Sequence, residues 1–112
     1  MIEHKTIEDY ILSFPHARLD YPFGEGTAVY KAGESDDAKM FALIHEGATP
    51  VRLSLKCDPQ LSKLLRDKYE TVLPGYHLSK KHWNTILVTG QMPWDEVQDL
   101  IRLSYNLVTD QA

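Results

Sequence analysis

The chain has a single cysteine, Cys57, so no intrachain disulfide can form. A lone thiol suits a reducing compartment, and the expected location is the cytoplasm. Long apolar runs are absent too. Stretches such as Met40–Ile44 span only a few residues, far short of the ~20 that a membrane-crossing helix needs. The first residues, Met1 to Lys5, lack the charged segment and apolar run of a secretory leader. Positive charge is also in short supply: 12 Lys and Arg face 16 Asp and Glu, a net of −4. That balance argues against a general nucleic-acid binder. No internal repeat or low-complexity segment divides the chain.

What remains is ordinary globular composition, 43% hydrophobic and 25% charged over 112 residues. One domain covering residues 1–112 is expected, large enough for a core without metal or disulfide. The charge is unevenly spread. Between Val51 and Trp83, seven cations (Arg52, Lys56, Lys63, Arg66, Lys68, Lys80, Lys81) face three carboxylates (Asp58, Asp67, Glu70), a net of +4. The rest of the chain therefore carries −8.

Periodicity gives the elements. Thr6 reads as the cap of a first helix, with Ile7, Tyr10 and Ile11 as its apolar stripe and Pro15 as its stop. Short strands follow at Ala17–Tyr21, Thr27–Ala32 and Lys39–Glu46, with Gly33–Ala38 as a hairpin loop. Val51–Cys57 alternates cleanly, with Val51, Leu53, Leu55 and Cys57 facing a core and Arg52, Ser54 and Lys56 facing water. Asp58-Pro59 starts a helix through Leu61, Leu64 and Leu65 to about Tyr69. Thr71–Pro74 is extended, and Trp83–Thr89 is the last strand. Pro93 opens a final helix whose core stripe is Val97, Leu100, Ile101, Tyr105 and Val108. The expected class is α+β, with about five antiparallel strands and three helices.

Catalytic signatures are weak. Gly24-Glu25-Gly26 is followed by neither Gly-Lys-Ser/Thr nor a helix, so it reads as a turn and not a phosphate loop. His77 and His82 lie five apart with one cysteine in the chain, short of a zinc ligand set, and no metal or cofactor is expected. Cys57 continues the apolar face of its strand, the opposite of an exposed, activated thiol. No catalytic residue is assigned, and the chain is expected to be non-enzymatic. The basic segment is the better candidate. Arg52 and Lys56 should stand on the outer face of one strand. The run Tyr76, His77, Lys80, Lys81, His82 and Trp83 joins cations to aromatics, a combination suited to phosphates and bases. For Trp83 the alternative is a core anchor, because large aromatics usually bury.

The stretch Pro74-Gly75-Tyr76-His77-Leu78-Ser79-Lys80-Lys81-His82-Trp83-Asn84-Thr85 resembles the signature of the MmcQ/YjbR family of small bacterial proteins. So do Leu53–Pro59 with its leucine-rich helix, Tyr21-Pro22-Phe23-Gly24 with Lys39–Ala42, and the helix around Ser104-Tyr105. Ser79 stands where the family often has asparagine. The resemblance covers nearly the whole chain. It implies a curved antiparallel sheet likened to a double-wing DNA-binding domain, with DNA as partner. A small-molecule or protein-binding module using an aromatic pocket near Tyr76 and Trp83 is the alternative, and no membrane partner is expected.

Overall fold

A computed structural model of the chain describes residues 2–33, 38–75 and 78–109. The elements run α1 (His4–Leu12), β1 (Ala17–Asp20), β2 (Thr27–Ala32), β3 (Lys39–His45), β4 (Val51–Lys56), α2 (Pro59–Lys68), β5 (Val72–Pro74), β6 (Trp83–Val88) and α3 (Trp94–Thr109). The strands form one antiparallel sheet in the order β1-β2-β3-β4-β6-β5. Four neighbours follow chain order. Helix α2 then carries the chain over to the edge strand β5, and β6 returns into the gap beside β4. The expected α+β class holds, and among the described residues the sheet has six strands, the short Val72–Pro74 segment pairing with β6 as the sixth. Pro74 is tolerated there because an edge strand leaves one side unpaired.

The main core lies between the sheet and the helices. Ile7 and Ile11 of α1, Leu65 of α2, and Val97, Ile101 and Tyr105 of α3 pack on Ala28, Tyr30, Phe41, Ile44, Leu53 and Ile86. A β-bulge at the β2–β3 pairing leaves Phe41 without a partner residue and turns it into this core beside Ala42. Ser104 ties the layers together. Its hydroxyl donates to the Phe41 carbonyl at 2.5 Å and accepts from the Lys56 N–H at 3.0 Å.

Two helix expectations need correction. Helix α1 begins at His4 with Glu3 at its cap, and Thr6 lies inside it. The Ile7 N–H already bonds the Glu3 carbonyl, and Lys5 pairs with Asp9 one turn on, so the first turn closes ahead of Thr6. In α2, Asp58 caps as expected, accepting from the N–H groups of Gln60 and Leu61. Leu64, however, is 65% exposed, and Ser62 faces inward with Leu65. The α3 stripe is buried at every expected position.

Candidate nucleic-acid interface

Directly paired residues on neighbouring strands project to the same side. Register therefore gives the composition of the second sheet face. It carries Arg18 and Asp20 from β1, Val29 and Lys31 from β2, and Leu43 and His45 from β3. Arg52, Ser54 and Lys56 come from β4, and Trp83, Thr85 and Leu87 from β6. At its centre Val29, Leu43 and Trp83 form a separate small cluster, with Met40 and Leu78 packed against it and no helix residue in it.

This cluster corrects the expectation that one face of Val51–Cys57 meets water throughout. Ser54 is fully buried, and its hydroxyl shares a 2.8 Å hydrogen bond with that of Thr85. Arg52 is exposed and Lys56 half-buried, so only the ends of the strand are wet. Trp83 is 7% exposed, with its ring in the cluster. It is the core anchor, and its faces are not open to stack on bases.

Trp83 is instead what positions the loop before it. The Ser79 carbonyl accepts from the N–H groups of His82 at 3.3 Å and Trp83 at 3.0 Å. The Cys57 N–H donates to the His82 carbonyl at 2.7 Å. From α2, Arg66 donates Nε to Asn84 Oδ1 at 2.8 Å and Nη2 to the Lys80 carbonyl. The Gly75 N–H bonds the Trp83 carbonyl at 2.9 Å, and a Cβ on Gly75 would stand 2.6 Å from the Trp83 Cβ. Only glycine admits that approach. Lys80, Lys81 and His82 are exposed on this pinned loop. Tyr76 and His77 lie outside the described residues, as does most of the Gly33–Ala38 loop.

Lys56 sits opposite Trp83, beside the loop. Arg52 lies four residues further along β4, about 13 Å away. Sequence reasoning missed Arg18 and Lys31, which register places on this same face. Their signal was the alternation of Ala17–Tyr21 and Thr27–Ala32, but the pairing that brings them together is long-range. The strands of this face thus present four cations against one carboxylate, Asp20, which pairs with Lys31 at 3.3 Å. The other ion pairs among the described residues, His4–Glu8, Lys5–Asp9 and Arg102–Asp99, sit in α1 and α3. Arg52, Lys56, Lys80 and Lys81 enter none of them.

Cys57 is buried on the helix side of β4, and burial pushes its thiol pKa up. Among the described residues, no three His, Cys, Asp or Glu side chains are grouped to hold a metal ion. No helix among them is long and apolar enough to cross a membrane.

These features define an α+β protein with all its helices on one sheet face and a cation-rich second face. A family model described as YjbR matches residues 12–107. The chain belongs to the YjbR family. The uncharacterised protein YbdF of Escherichia coli is 36% identical over 107 residues, which is 96% of this chain and 84% of that one. YyaQ of Bacillus subtilis is 44% identical over 55 residues, 49% of this chain and 46% of its own. A crystal structure of a Deinococcus radiodurans protein superposes with a TM-score of 0.91 at 37% identity, covering 96% of this chain and 78% of that one. A Pseudomonas syringae protein gives 0.79 at 28% identity, with 96% and 99% covered.

Proposed function

We propose that this chain is a non-enzymatic DNA-binding protein of the cytoplasm, engaging the phosphate backbone with its helix-free sheet face in the manner of a double wing. The observation that carries this reading is the segregation of charge. Arg18, Lys31, Arg52 and Lys56 share one strand face that carries Asp20 as its single carboxylate among the described residues, and Lys80 and Lys81 extend that face from a loop held by Arg66 and Trp83. The net charge of −4 keeps such binding weak and strongly dependent on salt. A buried thiol with a raised pKa supports the non-enzymatic part, because the thiolate is the reactive form.

The test is binding to a short duplex across a range of salt. Each phosphate neutralised contributes about −0.9 to the slope of log affinity against log salt, so six cations set a limit of about −5. The double substitution Lys80→Ala/Lys81→Ala should reduce the slope by about 2. No binding at low salt, or a slope unmoved by that double substitution, rules the reading out.

A further inference from the structure

On the helix side of the sheet, α2 and α3 stand apart over a cavity of about 320 Å³. Leu55 and Ile86 from the sheet form its floor. Leu61 and Leu65 of α2 line one side, and Leu100 and Leu107 of α3 the other. Leu103 and Leu107 are 44% and 45% exposed at its mouth. They form a second apolar stripe on α3, one turn apart and beside the core stripe.

We infer that this cavity is a binding site for a small, neutral, apolar ligand, independent of the DNA reading. Volume, wall polarity and charge each limit what could occupy it. An apolar cavity of about 150 Å³ takes one benzene-sized molecule, so this one fits roughly two such rings or an aliphatic chain of about eight to ten carbons. The polar groups of the wall are largely engaged internally. Asn84 accepts from Arg66 and donates to the Ser62 carbonyl at 3.5 Å, and the Asp58 carboxylate caps α2. A ligand rich in hydrogen-bonding groups would find few partners there and lose its hydration. Lys56 borders the wall from β4 with its side chain on the other face by register, and the Asp58 carboxylate is engaged as the α2 cap, so neither recommends a charged ligand. Asn106, on the same wall, supplies an amide for one neutral polar end.

Cys57 also lines the cavity and gives a direct readout of occupancy. The probe is 1-octanol, with 1,8-octanediol as a control of equal length and two polar ends. Methyl NMR of the intact protein should show saturable shifts at Leu55, Leu65, Ile86 and Leu107 with octanol. Alkylation of Cys57 by N-ethylmaleimide should slow at least about fivefold at saturation, and the diol should be much weaker on both counts. Leu103→Lys, at a position exposed enough to tolerate it, should weaken octanol binding about tenfold with the fold unchanged. Leu65→Trp, which fills the space from α2, should abolish binding if it folds, and Leu103→Lys decides the matter if it does not. Three results would overturn the inference. One is the absence of saturable shifts up to the solubility of octanol. Another is equal response to the diol. The third is a dimer that buries these leucines and is broken by Leu103→Lys, which would make the groove an interface between two copies.

Discussion

On the helix side of the sheet, Tyr30, Phe41, Ile44 and Leu53 are closed over by the helix layer. On the other side, a cluster built on Val29, Leu43 and Trp83 is covered by no helix, and four cations surround it. On the helix layer, Lys5–Asp9 and Arg102–Asp99 form local pairs within α1 and α3. Exposed pairs of that kind add little stability and leave little field beyond the surface. Among the described residues, Arg52, Lys56, Lys80 and Lys81 make no such pairs, so their field is available to an anionic partner. One side of the sheet supplies stability, and the other supplies the charge that a partner would meet.

Truncation on the helix side should have the largest effect. Phe41→Ala empties fully buried space beside Phe14 and Tyr105 of α3, and should cost about 3–5 kcal/mol in denaturant unfolding. The remaining folded protein should keep its salt-dependent DNA affinity. A smaller loss is expected for Ser104→Ala, about 1–3 kcal/mol, because it strips a buried partner from the Phe41 carbonyl and the Lys56 N–H. Its melting curve should shift while the slope against salt stays put. Removing charge from the other face should do the reverse. Arg18→Ala/Arg52→Ala should move stability by no more than about 0.5 kcal/mol and lower the salt slope by about 2. Equal stability losses from the two kinds of substitution would erase the distinction between the faces.

The final contrast is one of pH. The Tyr30 phenol is pushed well above its ordinary value of 10.0, first by burial and then by the Glu8 carboxylate it donates to at 2.5 Å. A group whose folded pKa is raised gives stability that is complete below the unfolded pKa and lost as pH climbs toward the folded one. Unfolding free energy should therefore fall above pH 10, by up to about 1.4 kcal/mol per pH unit, and Tyr30→Phe should flatten that fall. The salt slope of DNA binding at neutral pH should not respond to Tyr30→Phe, since the phenol faces the other layer.

Much of this was legible in the sequence, for local reasons. The α3 stripe and the Asp58-Pro59 helix start are written in adjacent residues, and the structure keeps them; of the β4 alternation it keeps the side-chain directions but not the exposure of Ser54. What was not legible depends on pairing between distant segments. Ser54 reads as a wet position in its own strand, but Leu43 of β3 and Thr85 of β6 flank it on that face. Thr6 looked like a cap because the Glu3 backbone bond leaves no side-chain signal. Arg18 and Lys31 join Lys56 through β1–β2–β3–β4 register, which no single segment encodes. The family stretch was found for its cations and aromatics. Its Gly75 and Trp83 turn out to serve the loop's placement, and Lys80 and Lys81 are what it displays.

The central claim is that the helix-free face is the working surface. Backbone amide NMR during titration with a short duplex at low salt tests it directly. The expected result is fast-exchange shifts confined to Arg18, Lys31, Arg52, Lys56 and the Leu78–His82 loop, fading as salt is raised. Shifts centred on α1 and α3, or none at the lowest salt, would contradict it.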